Sequence, residues 1–234
     1  YLQVMLHGIS LDAATTGYLT ALPWLTIFIS IWFKKFPLRS ILTGYYAVIC
    51  LLVSLIFVGD MCLYPFWNFK LDASIFLYLD SPKNAMASVS IGFILLRVLI
   101  IILLSGFLTW ILYKVTPRHL PPAQWRIAGS IATLLLGGVL FIIIRGGISE
   151  STSNIGQVYF CNDEFLNHSA VNPAFNLIAS TGKTKNYAEQ FNFFDEMHRK
   201  ELFDNLYPTG GKNTIELLNT KRPNILIILM EGFG

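Results

Sequence analysis

Four stretches of the sequence are apolar over the length that a helix needs to cross a lipid bilayer. The hydrocarbon core is about 30 Å thick and a helix rises about 1.5 Å per residue, so a spanning helix takes roughly 20 apolar residues. Stretches of this kind occupy residues 15–33, 40–59, 88–113 and 127–145. Only the third contains an ionisable residue away from its ends, Arg97. We therefore predict an α-helical multi-pass membrane domain over residues 1–145.

The distribution of charge separates this domain from the rest of the chain. Residues 1–145 hold ten Lys or Arg and four Asp or Glu, whereas residues 146–234 hold seven and ten. Only 13% of all residues are charged, against about 25% in soluble domains. This composition excludes a disordered, collagen-like or disulfide-stapled chain. The uneven distribution of charge indicates that residues 146–234 face water.

The loops between the stretches predict their orientation, because Lys and Arg in short loops stay on the cytoplasmic side. Two loops carry three basic residues each: Lys34, Lys35 and Arg39, and then Lys114, Arg118 and Arg126. The loop over residues 61–87 balances two lysines with two aspartates. We therefore expect residues 146–234 outside the cytoplasm. Four spans then put the N-terminus outside too, so at least one earlier helix is expected before Tyr1.

Three segments outside the spans have the composition of surface structure. Residues 61–87 are rich in aromatic side chains and are predicted to lie along the outer membrane interface. Residues 158–179 predict a short helix or an irregular wrap at the membrane surface. Residues 187–207 carry apolar positions at helical spacing and predict an amphipathic helix. The last two segments belong to a predicted extracytoplasmic linker over residues 146–220.

Two groups of side chains in these segments are candidates for a metal site or a disulfide. Asp195, Glu196 and His198 are spaced like metal ligands, but on a periodic helix a solvated charged face is the favoured interpretation. Cys62 and Cys161 are both predicted outside the membrane and could form a disulfide with each other. Three isolated thiols, with Cys50 as the third, are the simpler interpretation.

The last fourteen residues, 221–234, predict the start of an α/β domain. Residues 225–230 have the length and β-branched content of a strand buried on both faces. Glu231 follows this strand directly, at the edge where open α/β sheets bind ligands. From the sequence alone, Glu231 fits a cation ligand and a helix cap equally well.

Short motifs are spread over nearly the whole chain. They are Gly17-Tyr18-Leu19, Leu22-Pro23, Arg145-Gly146-Gly147, Tyr159-Phe160, Phe165-Leu166-Asn167, Asn172-Pro173, Phe175, Phe194-Asp195-Glu196, Leu206-Tyr207, Arg222-Pro223-Asn224-Ile225 and Met230-Glu231. With these motifs the chain resembles the membrane-anchored sulfatase-like phosphotransferases of bacteria, to which lipoteichoic acid synthase and the periplasmic-glucan phosphoglycerol transferases belong.

The resemblance implies five membrane helices, a linker with surface helices, and an alkaline-phosphatase-like α/β domain outside the membrane. It implies a bound divalent metal with Glu231 as one ligand. Mn²⁺ is the preferred candidate, and Zn²⁺ and Mg²⁺ are the alternatives. The Thr nucleophile and the other ligands would follow residue 234, so this chain holds no catalytic residue. Two positions depart from the family pattern: Ser10 stands where many members have Arg, two residues before the position of Asp12, and Gly232 replaces a common Ser.

Two arginines are candidate ligands for a lipid head group. A charge as deep as Arg97 costs roughly 2.5 to 3.5 kcal/mol on insertion scales, so we expect it to face a partner, water or a lipid phosphate. Asp60, at the outer end of the second span, is a candidate ion-pair partner. Arg145 lies at the outer boundary of the fourth span, where an interfacial anchor is the default role.

The resemblance implies a membrane-bound, metal-dependent enzyme of the bacterial cytoplasmic membrane. It would move phosphoglycerol, or phosphoethanolamine, from a donor such as phosphatidylglycerol to a glycan or lipid acceptor of the cell envelope. This chain would be its anchor and lipid platform, with no nucleic-acid partner. The alternative is a non-enzymatic lipid-sensing or regulatory protein of the same architecture. A solute transporter is disfavoured, because the spans show neither internal repeats nor broken helices.

Overall fold

The computed structural model describes residues 1–33, 35–79, 89–118, 125–182 and 193–206. The chain divides into two units, Tyr1–Thr184 and Lys185–Gly234. The predicted strand at residues 225–230, Glu231 and the rest of the predicted α/β domain lie outside the described residues.

Within the described residues, all regular structure is helical. The first unit contains α1 (Leu2–Ser30), α2 (Leu38–Trp67), α3 (Ile75–Leu79), α4 (Ile91–Val115), α5 (Arg126–Arg145), a 3-10 turn (Ile155–Val158), α6 (Glu164–Ala170) and α7 (Pro173–Thr181). The second unit contributes α8 (Glu196–Leu206).

Three of the four predicted spans are confirmed as helices long and apolar enough to cross a membrane: α2, α4 and α5. The bounds of α4 and α5 lie within three residues of the predicted ones. Helix α2 is longer than predicted, because it continues through Pro65 to Trp67. Residues 61–67 therefore belong to α2 and not to the loop that was predicted over residues 61–87. The chain has the architecture of a multi-pass helical membrane protein.

The stretch at residues 15–33 differs most from its prediction. It falls on α1, which begins much earlier, at Leu2, and ends at Ser30 before the last apolar residues of the stretch. Threonines make α1 less apolar than the other three helices, and Thr15, Thr20 and Thr26 each donate their hydroxyl to the backbone carbonyl four residues earlier. Its role as a fourth span stays a prediction.

The long helices form two antiparallel pairs. Helix α5 packs along α1, where the Trp24 indole N–H donates to the Thr133 carbonyl over 2.7 Å. Helix α4 packs along α2, where the Arg39 guanidinium lies 3.9 Å from the centre of the Tyr113 ring. The Tyr45 hydroxyl joins the two pairs by donating to the Leu19 carbonyl over 2.6 Å.

The outward faces of these pairs are apolar. Ser105 is the one residue of α4 that is buried, while large side chains along the same helix are exposed, among them Leu95, Leu99, Leu103, Phe107 and Trp110. A helix that is apolar all round and not covered by protein suits a hydrocarbon solvent. The arrangement is therefore compatible with a lipid membrane around the bundle.

Residues 155–181 pack across one end of the bundle, and we call this segment the cap. Its Val158, Ala170, Val171 and Phe175 form a buried cluster with Leu11 and Ala14 of α1. Leu11, Ala14 and Val158 are fully buried. We call the end of the bundle beneath the cap the capped end. Residues 158–179 contain the short helices α6 and α7, which is the first of the two alternatives predicted for this segment.

The contact between α1 and α5 depends on glycine at position 137. A Cβ added to Gly137 would collide with the Trp24 ring, whereas a Cβ on the neighbouring Gly138 would meet nothing within 4 Å. We expect Gly137→Ala to destabilise the protein by about 1–3 kcal/mol, because overpacking forces the Trp24 ring to move. Gly138→Ala is the matched control and is expected to leave thermal unfolding in detergent unchanged or slightly raised. Equal unfolding temperatures for the two variants would contradict this packing.

Candidate functional site

A buried carboxylate anchors the capped end. Asp60, near the end of α2, is only 5% exposed. Its Oδ2 lies 2.5 Å from the Lys70 ammonium, and its Oδ1 accepts the Leu71 backbone N–H over 2.9 Å. Asp60, which the sequence offered as a candidate partner of Arg97, is therefore paired with Lys70 instead. Lys70 is closer along the chain, and the turn after α2 brings it back onto the carboxylate.

The cap holds the same loop from the other side. The Asn176 side-chain amide donates to the Leu71 carbonyl over 2.9 Å, and the Ala73 N–H donates to the Ser180 hydroxyl over 2.9 Å. Leu71 therefore donates one hydrogen bond to Asp60 of α2 and accepts another from Asn176 of α7. The loop joins the membrane helix to the cap.

Asn172 makes a second connection between the cap and the bundle. Its side-chain oxygen accepts the backbone N–H groups of Ala174 and Phe175 at 3.0 Å each, which caps the start of α7. Its side-chain nitrogen donates to Asp12 of α1 over 2.7 Å. Pro173 follows at the first helical position, where its missing N–H costs nothing. The Asn-Pro pair is a sequence signal for a helix start.

Helix α6 brings aromatic and imidazole rings to the end of α2. His168 is 8% exposed, and its Nδ1 lies 3.1 Å from the Tyr64 hydroxyl. On the other side of the cap, the ring of His7 in α1 stacks on Phe160 with 4.6 Å between ring centres. These residues were not predicted as site residues, because none of them is near another in the sequence.

A cleft of about 400 Å³ opens between the cap and the loop after α2. Its walls combine polar and aromatic side chains from three parts of the chain: Phe69, Lys70, Asp72, Ile155, Tyr159, His168, Val171 and Asn176. This volume is within the range of small-molecule sites. The cleft is the candidate functional site of the first unit.

Arg145, a predicted head-group ligand, lies at the turn where α5 becomes the linker. Gly146 and Gly147 both have positive φ angles, 88° and 117°, and the Gly147 N–H donates to the Ile142 carbonyl over 2.9 Å. The half-buried Arg145 side chain donates to the Gly147 carbonyl over 3.2 Å. One of its donors therefore serves the turn, and a lipid role for the others stays a prediction.

Arg97, the other predicted head-group ligand, has no carboxylate within ion-pair distance among the residues that the structure describes. Its guanidinium lies 4.6 Å from the centre of the Phe93 ring, and its Nε is buried without a hydrogen-bond partner. It stands six residues after the start of α4, roughly 9 Å along the helix axis. A guanidinium at this position requires an anion or water from its surroundings.

The remaining candidate residues have structural partners or lie outside the described residues. Cys50, Cys62 and Cys161 are free thiols. In the second unit, Asp195 accepts the His198 N–H over 2.7 Å and so acts as a helix cap. No group of three or more His, Cys, Asp and Glu side chains suited to a metal occurs among the described residues. The proposed ligand Glu231 is not among them.

The two ends of the bundle carry opposite charge. Every acid described in the first unit lies at the capped end: Asp12, Asp60, Asp72, Glu150, Asp163 and Glu164. The other end carries only cations among its described charged residues: Lys35, Arg39, Lys114, Arg118 and Arg126. This asymmetry agrees with the loop argument that predicts orientation.

No protein-family model matches the chain, and neither a curated protein nor a solved structure is found to be similar to it. The resemblance described from the motifs therefore stays a prediction.

The cap should loosen when its connection to α1 is removed. We expect Asn172→Ala to lower the free energy of unfolding by about 1–2 kcal/mol, because the variant loses a helix cap and its bond to Asp12. Hydrogen exchange should also accelerate over α6 as well as α7, because the cap separates from the bundle. Asp163→Ala is the matched control, since Asp163 caps α6 through the Leu166 N–H and has no hydrogen bond to α1 among the described residues. Exchange that accelerates only within α7 in Asn172→Ala would contradict the bridging role.

Proposed function

We propose that the chain is the membrane part of a metal-dependent phosphotransferase that takes phosphoglycerol or phosphoethanolamine from a phospholipid. The acceptor in this proposal is a glycan or lipid of the cell envelope. The proposal includes the bacterial cytoplasmic membrane, an extracytoplasmic capped end, α1 as a fourth span, and an α/β domain that starts near residue 221. Its basis is the motif resemblance, together with the arrangement of the capped end.

One observation carries the proposal furthest: the cap is fixed to the helix ends by side-chain hydrogen bonds. Asn172 is bonded to α1, and Asn176 is bonded to the loop after α2. A segment fixed in this way suits a protein that works on lipid head groups, because the head groups of one leaflet surround the ends of membrane helices. A flexible tether would suffice for a domain with a soluble substrate.

Arg97 supports a lipid substrate in particular. Its guanidinium faces no carboxylate among the described residues, and phosphate is the anion that a bilayer supplies at this level. The long side chain can extend toward the head groups while its stem stays in hydrocarbon. In the proposal, Arg97 binds the phosphate of a donor lipid. Arg145 contributes the N–H groups of its guanidinium that are not hydrogen-bonded to the turn after α5.

The catalytic chemistry in this proposal belongs to residues that follow the cap. Glu231 would hold a divalent metal, Mn²⁺ in the first place or else Zn²⁺ or Mg²⁺, together with ligands outside this chain. A bound ion of this kind neutralises phosphate oxygens and activates a hydroxyl nucleophile. The described residues bind and orient the lipid, and they do not take part in the bond changes.

Diacylglycerol release by the full-length protein tests the proposal. The purified protein is given labelled phosphatidylglycerol and, separately, labelled phosphatidylethanolamine, with and without Mn²⁺. We expect metal-dependent release that Glu231→Ala abolishes and that the control Glu150→Ala, at an exposed acid of the capped end, leaves intact. Arg97→Leu should raise KM about tenfold or more, since one charge-assisted bond to phosphate is worth about 1.5–3 kcal/mol.

Absence of release from both lipids, with a folded protein and added metal, would overturn the enzyme proposal. Release that is unaffected by Glu231→Ala would remove Glu231 from the metal site.

A further inference from the structure

The cleft between the cap and the loop after α2 is built from parts that cannot move independently. Leu71, between the lining residues Lys70 and Asp72, is bonded on one side to Asp60 and on the other to Asn176. The lining residue His168 is bonded to Tyr64 of α2. The walls are therefore positioned before any ligand arrives, which lowers the entropic cost of binding.

The charges around the cleft are unfavourable for an anionic ligand. Lys70 is the one cation among the lining residues, and Asp60 already pairs with it at 2.5 Å. Asp72 adds a second carboxylate, whose Oδ1 accepts the Ser74 N–H and hydroxyl but has no cation partner among the described residues. The cleft therefore carries about one net negative charge when His168 is neutral.

The same cleft offers donors to a phosphate group. The Lys70 ammonium has three N–H donors, of which Asp60 takes one. A neutral His168 whose Nδ1 accepts from the Tyr64 hydroxyl carries its proton on Nε2, which is then a further donor. A phosphodiester bound beside Lys70 adds one negative charge, and this charge requires a positive group on the ligand itself.

The cleft also has the features that bind an ammonium group. Asp72 supplies a carboxylate, and the aromatic rings of Phe69 and Tyr159 line the same space. Carboxylates and aromatic rings together are a recurring environment for organic cations. Lys70 and Asp72 are two residues apart on one fixed loop, so a ligand with both charges can contact both.

We propose that this cleft binds a zwitterionic phosphodiester head group, with its phosphate beside Lys70 and His168 and its ammonium beside Asp72. The chemical class is phosphoethanolamine and not phosphoglycerol, whose phosphodiester is a net anion. This inference rests on the proposed function and selects one of its two donors. The wider capped end favours the same choice, because six of its described residues are acids and three, Lys70, Arg97 and Arg145, are cations.

Binding is measured with the full-length protein in uncharged maltoside micelles, by saturation-transfer NMR titration. The first arm compares glycerophosphoethanolamine with glycerophosphoglycerol, which are soluble. The second arm compares dihexanoyl-phosphatidylethanolamine with dihexanoyl-phosphatidylglycerol. We expect the ethanolamine compound to bind at least tenfold more tightly than the glycerol compound in both arms. Selective binding of glycerophosphoethanolamine alone would assign the cleft to a soluble zwitterionic phosphodiester, and selective binding of dihexanoyl-phosphatidylethanolamine alone would assign it to the intact lipid. Binding of neither ethanolamine compound would overturn the inference.

The Asp72→Asn variant removes the charge and keeps an oxygen that can accept from Ser74. It should weaken binding of glycerophosphoethanolamine at least tenfold and leave glycerophosphoglycerol unchanged or slightly tighter. Glu150→Gln, an exposed acid that does not line the cleft, is the matched control and should change neither affinity. Equal affinity for the two head groups in the unaltered protein, or no effect of Asp72→Asn, would overturn the inference.

These outcomes are separate from those of the turnover experiment. Binding that fails in a protein that releases diacylglycerol leaves the transferase proposal standing and removes the cleft from it. Selective binding in a protein that releases nothing keeps the cleft as a head-group site and rejects the enzyme.

Discussion

A carboxylate buried at the end of a membrane helix must receive a cation and hydrogen-bond donors, and Asp60 receives both from the loop that follows its own helix. Lys70 supplies the charge and Leu71 supplies a backbone N–H. Removing a partner from a buried charge of this kind costs several kcal/mol, so the loop is bound to one conformation. The cap then uses the position of this loop, because Asn176 binds the carbonyl of the same Leu71. Both contacts fix the loop that forms one wall of the cleft.

This arrangement gives the two ends of the bundle different chemistry. The capped end collects acids, aromatic rings and a preformed cleft, whereas the opposite end is basic. Between them, α2 and α4 present apolar faces suited to lipid, and Arg97 interrupts the apolar surface of α4 within about two turns of its start. Two of these features lie in the part of the protein where our functional proposal places the lipid head groups. One is the guanidinium of Arg97, which lacks a described counterion, and the other is the cleft, whose charges suit a zwitterion.

The membrane helices could be predicted from the sequence because apolar length is a local property. Three spans were located within a few residues, apart from the extension of α2 to Trp67. The early start of α1 was missed because His7, Ser10 and Asp12 interrupt its apolar pattern. In the structure His7 stacks on Phe160 and Asp12 accepts a hydrogen bond from Asn172, and both of these partners are about 150 or more residues away in the chain. Asp60 was a candidate partner of Arg97 for a related reason, because the charge of a residue and its position in a span do not reveal which cation the following turn brings to it. The cleft combines residues from three segments, so no local sequence pattern predicts its position.

Helix α2 and the cap are connected through Leu71. A double-mutant cycle of Asp60→Asn and Asn176→Ala, measured as free energies of unfolding in detergent, tests this connection. We expect a coupling energy of about 0.5–3 kcal/mol, because either substitution frees the loop that the other residue needs in place. Strictly additive effects of the two substitutions would contradict the claim, since they would show that Asp60 and the cap stabilise the protein independently.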